Sequence, residues 1–165
     1  MARQEQLIQE WFAARARPGE RYQGWGILAK YPNPTVSTAS HAASALRADH
    51  RAAARQSMID RFGLDPARRL LPGVTDPFVA VSDQRMILGR QGGFRFKPKD
   101  ELLSLERSAF RVLWWDEAHT GPDERHIVIQ ISDGGWWDTS SIVNDNYNSN
   151  ALLQALGPNA VHAGA

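Results

Sequence analysis

The chain has 165 residues, of which 42% are hydrophobic and 22% are charged, a balance typical of one ordinary globular domain. It contains no cysteine, which excludes disulfides, thiolate zinc sites and cysteine nucleophiles, and no apolar run of about 18 residues, which excludes a membrane-spanning helix. The net charge of +1 conceals a division, because residues 1–99 hold 16 Lys/Arg and 8 Asp/Glu whereas residues 100–165 hold 3 and 10. The division indicates either two halves that face each other or an electrostatic binding surface.

Two helices and one strand are predicted for the N-terminal part of the chain. Apolar residues at helical spacing over 3–16 predict an amphipathic helix that packs on the domain. Residues 20–31 predict a strand. Residues 40–62 form the clearest helical pattern, and Gly63 follows at the position of a left-handed C-terminal cap.

A basic ridge runs along the second predicted helix, where Arg47, Arg51 and Arg55 repeat at helical spacing. Like charges at this spacing repel one another, so we expect a compensating surface opposite them. The ridge therefore faces either phosphates or the acidic C-terminal half of the same chain.

The stretch 77–143 predicts a run of short strands separated by turns rich in Gly, Asp and Pro. The predicted strands are 78–82, 85–90, 94–97, 108–115, 125–132 and 136–143. A short helix follows around 151–156, and we expect residues 158–165 to form a flexible tail. Residues 1–66 then elaborate a β domain over 67–157, and together they form one unit.

One strand–turn–strand motif suggests a family. Residues 79–90 read Val-Ala-Val-Ser-Asp-Gln-Arg-Met-Ile-Leu-Gly-Arg, with Ser82, Asp83 and Arg85 in a tight polar turn between apolar strands. This motif, with the later strands and closing helix, resembles the bacterial pleckstrin-homology-like (PH-like) and GRAM-like domains over roughly 67–157. The resemblance implies an α+β fold: a PH-like β-sandwich or barrel of about seven short antiparallel strands with a C-terminal helix, plus two N-terminal helices. The helix at 40–62 is then an insertion.

The same motif has a physical interpretation that needs no family. Asp83 can accept hydrogen bonds from backbone N–H groups within the turn, and Arg85 can fork onto a carboxylate or onto turn carbonyls. We therefore predict that these residues fix the turn rather than bind a ligand.

Four basic residues, Arg90, Arg95, Lys97 and Lys99, surround the predicted hairpin at 91–93. In the wider fold, eukaryotic members hold phosphoinositide headgroups with basic residues near a strand hairpin, so the resemblance implies a candidate anion site here. A basic hairpin tip that binds nothing is the alternative.

Two tryptophan pairs, Trp114-Trp115 and Trp136-Trp137, lie in predicted strands. Adjacent residues of a strand face opposite sides, so one member of each pair should lie in the core. We predict Trp115 and Trp136 as the outward members and candidate interface anchors. The alternative is that the N-terminal helices cover them.

The sequence contains no recognisable catalytic or metal-binding motif. The loop over 116–126 gathers Asp, Glu and His residues at a spacing that matches no metal motif, so we predict no metal site. Because no phosphate loop, nucleophile elbow or HExxH pattern is present, we expect no cofactor. The sequence favours a cytoplasmic, non-enzymatic protein–protein interaction or scaffold module. The alternatives are an anion-binding module for acidic lipid headgroups or nucleic acid, and then an enzyme or metal-binding protein with an unrecognised site.

Overall fold

The described residues form an α+β structure with three α-helices and eight strands in two four-stranded sheets. This computed structural model describes residues 2–29, 41–72, 74, 76–92, 96–118 and 123–164, with the backbone alone for 41–51. The α-helices are α1 (Ala2–Ala13), α2 (His41–Phe62) and α3 (Ser149–Leu156). The strands are β1 (Tyr22–Ile27), β2 (Pro77–Ser82), β3 (Arg85–Gln91), β4 (Pro98–Glu106), β5 (Phe110–Glu117), β6 (Glu124–Ile131), β7 (Trp136–Ile142) and β8 (Ala160–His162). Short 3-10 helices, which the sequence pattern did not predict, lie at Pro66–Arg68, Arg107–Ala109 and Gly157–Asn159.

Strands β1 to β4 form sheet A in chain order, each antiparallel to the next. The helix α1 packs on this sheet as predicted, because Ile8, Trp11 and Phe12 are buried in one cluster with Trp25 and Phe78. Of the strand predicted at 94–97, residues 96 and 97 do not belong to a strand and residues 94 and 95 lie outside the described residues. Strand β4 begins at Pro98, where the prediction had a strand end. Proline lacks an N–H and is tolerated as the first residue of an edge strand.

Sheet B has the order β7-β6-β5-β8, and β8 pairs parallel to β5. This pairing corrects the expectation of purely antiparallel strands, and residues 160–162 of the segment that was expected to be a flexible tail form a strand. The amide group of Asn159 donates to the backbone oxygens of Arg107 (2.8 Å) and Phe110 (2.7 Å), which brings the chain back to the edge of β5. The backbone N–H of Ala163 then donates to the oxygen of Trp114 at 2.8 Å.

The main core lies between the two sheets, which are bridged at one corner by backbone hydrogen bonds between Ala29 and Ser140. Helix α3 closes the core against β1, where Gly26 is required because a Cβ there would lie 2.6 Å from a methyl group of Leu152. The buried apolar residues of this core are Leu28, Val79, Val81, Met86, Leu88, Leu105, Phe110, Val112, Ile127, Ile129, Trp137, Leu152 and Leu156.

The turn between β2 and β3 is held by a buried ion pair. The guanidinium of Arg85 forks onto the carboxylate of Glu20 at 2.8 and 3.1 Å, as the motif predicted. The N–H groups of the turn donate to Ser82 Oγ rather than to Asp83, and Asp83 instead accepts from the backbone N–H of Arg21 at 2.9 Å. The motif thus fixes the turn and attaches it to the segment before β1.

The carboxyl of Glu20 is strongly acidic. Its side chain is fully buried, and burial by itself raises the pKa. Hydrogen bonds from Arg85, from the backbone N–H of Arg17 and from the Ser82 hydroxyl outweigh burial and lower the pKa from 4.5 to about 2. The charged form of Glu20 is therefore the one the fold stabilises.

Replacing Glu20→Gln should strongly destabilise the protein, because it keeps the shape but leaves Arg85 buried without its counter-charge. We expect the free energy of unfolding at pH 7 to fall by about 3–5 kcal/mol. A lowered folded-state pKa contributes stability above the ordinary value of 4.5 that is lost as the pH falls toward about 2, so the variant should show a weaker acid dependence. Urea unfolding between neutral and acidic pH measures both effects. Glu10→Gln, at an exposed position of α1, is the control; equal losses in the two variants would contradict the assignment.

Candidate functional site

Helix α2 covers the outer face of sheet B with its C-terminal half. The helix ends at Gly63 (φ +60°), and the N–H of Leu64 returns to the oxygen of Ile59 at 3.0 Å, which confirms the predicted cap. The buried side chains shared by the helix and the sheet are Met58, Ile59, Leu113, Val128 and Trp136.

The two predicted interface tryptophans both lie against α2. Trp136 has no exposed surface, and its indole N–H donates to the backbone oxygen of Asp65 at 2.6 Å. It therefore offers nothing to a partner, which corrects the expectation that it is an outward anchor. Trp115 is half-buried, with its ring centroid 5.7 Å from Phe62 and stacked at 5.1 Å on His126.

The basic ridge meets the acidic half of the chain at Arg55. The Nε atom of Arg55 lies 2.9 Å from one carboxylate oxygen of Asp138, and the Nε atom of Arg69 lies 2.6 Å from the other carboxylate oxygen. The Asp138 side chain is only 2% exposed, so this charge needs both cations. The side chains of Arg47 and Arg51 lie outside the described residues.

The basic hairpin is described only in part, because Arg95 lies outside the described residues. Arg90 forms an ion pair with Asp100 on the neighbouring strand. Lys97 and Lys99 are exposed and have no ion-pair partner among the described residues. Of the described candidate anion ligands in this hairpin, these two lysines are therefore the ones without a carboxylate partner.

The acidic loop is tied into the fold by Arg125. The guanidinium of Arg125 forks onto Asp116 at 2.7 and 2.8 Å and also donates to Ser149 and Asn150 at the start of α3. Glu117 lies 2.7 Å from a ring nitrogen of His126. No group of three potential metal ligands occurs among the residues that the structure describes; His119 is outside them.

A cleft of about 570 Å³ opens to solvent beside the C-terminal end of α2. The adjoining ends of β5 and β6 form its other wall. Its half-buried apolar side chains are Phe62, Leu64 and Ile131, and its basic side chains are Arg68 and Arg111.

The two arginines of the cleft were not singled out from the sequence. Arg68 and Arg111 lie far apart along the chain, and only the packing of α2 on sheet B brings both to one cleft. The one available signal is that Arg111 alternates with apolar residues of β5 and must therefore face outward.

Comparison with known protein families, with curated proteins and with solved structures finds no match for this chain. Within the described residues, no helix has both the length and the apolar character needed to cross a membrane.

Replacing Trp136→Phe should destabilise the docking of α2. The change removes the N–H that donates to Asp65 and leaves space under the helix, so we expect the free energy of unfolding to fall by about 2–4 kcal/mol. Trp115→Phe, at the half-buried position, should lower it by less than half of that amount. Urea unfolding of both variants measures the difference, and equal losses would contradict the deeper burial of Trp136.

Replacing Arg55→Met should weaken the same contact, because Asp138 keeps only Arg69 as a counter-charge. We expect a loss of about 1–3 kcal/mol in the free energy of unfolding, as for hydrogen bonds to charged groups. Arg3→Met, at an exposed position of α1, removes the same charge and should leave stability within about 0.5 kcal/mol of wild type. An unchanged free energy of unfolding in the Arg55→Met variant would show that the ion pair between Arg55 and Asp138 does not stabilise the fold.

Proposed function

We propose that the protein is a non-enzymatic protein–protein interaction or scaffold module with a PH-like fold. The strand order supports the fold assignment, because a four-stranded meander is followed by a three-stranded meander and then by α3 against β1. The resemblance implied about seven antiparallel strands and a C-terminal helix, and strand β8, which pairs parallel to β5, is additional to that pattern. Helix α2 then corresponds to the insertion between the first two strands.

The observation that carries the functional proposal is the composition of the cleft beside α2. Apolar side chains of Phe62 and Leu64 lie next to the guanidinium groups of Arg68 and Arg111 on a surface open to solvent. Aromatic residues and arginine are enriched in protein interfaces, and an open cleft admits a segment of another chain. Arg55 is engaged by the buried carboxylate of Asp138, which weighs against a phosphate-binding surface built on this residue.

The proposal is tested by capture on the immobilised wild-type chain from a lysate of the native organism at low and moderate salt. We expect a protein that stays bound at moderate salt and, once purified, binds the chain at a fixed stoichiometry in calorimetry. Apolar contacts resist salt, whereas binding to nucleic acid falls by several powers of ten over this range.

The matched variant for this experiment is Lys97→Gln with Lys99→Gln, which removes the two exposed lysines that have no ion-pair partner among the described residues. The variant should retain the protein partner. Recovery of nucleic acid or anionic lipid alone, lost at moderate salt and in this variant, would contradict the proposal and favour the anion-binding alternative.

A further inference from the structure

Most described arginines have their charge compensated inside the molecule. The arginines within 3.8 Å of a carboxylate are Arg15, Arg17, Arg21, Arg55, Arg69, Arg85, Arg90 and Arg125. Arg107 differs from these, because all five of its N–H donors are used by carbonyl and amide oxygens, including those of Ser82 and Leu156.

The positive charges of the two cleft arginines, Arg68 and Arg111, are less well compensated by carboxylates than those of the arginines named above. The carboxylate nearest to Arg68 is that of Asp133, at 4.0 Å, and both side chains are at least half exposed. The same Asp133 oxygen already accepts the backbone N–H of Gly135 at 2.7 Å. An exposed ion pair at this distance contributes little free energy. The guanidinium of Arg68 therefore keeps most of its ability to bind another anion.

Arg111 has no carboxylate within ion-pair distance among the described residues. Its Nε donates to the side-chain oxygen of Gln130 at 2.6 Å, which orients the guanidinium and leaves both terminal amino groups for a ligand. A guanidinium binds a carboxylate with two parallel hydrogen bonds. The cleft therefore holds two cations that lack a strong anionic partner.

The walls of the cleft are fixed by the fold. The cap at Gly63 holds the end of α2, and the bond from Trp136 to Asp65 holds the segment that follows. The guanidinium carbon of Arg61 lies 4.9 Å from the ring centroid of Phe62. A site held in this way loses less conformational freedom on binding.

We infer that this cleft recognises a short segment of a partner protein in which a carboxylate side chain neighbours an apolar one. The carboxylate pairs with Arg68 and Arg111, and the apolar side chain packs on Phe62 and Leu64. Asp65 also lines the cleft, and Asp133 lies 4.0 Å from Arg68. The charge around the two arginines is therefore mixed, which favours a peptide with isolated carboxylates over a dense cluster of phosphates. The inference rests on the proposed function and names the partner chemistry for it.

The test uses the full ¹⁵N-labelled chain and two capped tetrapeptides, Glu-Phe-Glu-Leu and Lys-Phe-Lys-Leu. Backbone amide shifts during titration report where each peptide binds. We expect saturable shifts at Ala109, Ser132 and Gly134 with the acidic peptide, and at least about tenfold weaker binding of the basic peptide. Equal shifts with both peptides, or shifts centred elsewhere, would overturn the inference.

Charge reversal locates the binding. The double variant Arg68→Glu with Arg111→Glu should lose the acidic peptide, whereas Lys97→Glu with Lys99→Glu makes the same change of charge on sheet A and should retain it. Arg111→Gln is the milder variant if the double reversal does not fold, and it should weaken binding at least about threefold. Retention by the cleft variants, or equal loss in the lysine variant, would contradict the inference.

A third arm separates a peptide site from a simple anion site. Inorganic phosphate should produce no saturable shifts at the concentrations where the acidic peptide binds, and the same shifts with phosphate would overturn the inference.

Failure of the proposed function is distinguishable from failure of this inference. If a partner captured at moderate salt binds the cleft variants as well as wild type, the inference falls while the interaction module stands.

Discussion

Sheet B is buried on both faces, and this constraint decides where much of the chain lies. The first six residues of β6 are all buried, so one face of the sheet packs on sheet A and the other needs a cover. Helix α2 supplies the cover. Because the covered face contains the carboxylate of Asp138, the cover must also bring cations, which Arg55 and Arg69 provide. The C-terminal half of α2 is thus an integral part of the fold.

Part of the charge division along the sequence is used within the molecule. Among the described residues, six ion pairs join a cation from residues 1–99 to a carboxylate from residues 100–165: Arg15–Glu101, Arg17–Glu106, Arg55–Asp138, Arg68–Asp133, Arg69–Asp138 and Arg90–Asp100. Exposed pairs of this kind each contribute little free energy. They nevertheless place carboxylates of the acidic half beside cations of the basic half, which supports the interpretation of two halves that face each other.

The same contacts that hold the fold together shape the cleft. Asn159 holds the start of β5 through the backbone oxygens of Arg107 and Phe110, while the cap at Gly63 and the bond from Trp136 hold the end of α2. The two walls are therefore set by independent anchors, one from the C-terminal segment and one from the helix. Arg68 and Arg111 lie between them with little competition from the protein's own carboxylates.

The sequence by itself determined the features that depend on local signals. Alternation of apolar residues marked most of the strands, Gly63 marked the end of α2, and the Ser82–Arg85 turn predicted that Arg85 forks onto a carboxylate or onto turn carbonyls. Tertiary structure alone decided that Glu20 is that carboxylate, that Trp136 is covered, that β8 joins β5, and that Arg68 and Arg111 share a cleft. A periodicity of two or 3.6 residues shows which side of an element is buried, but what covers that side depends on residues distant in the chain.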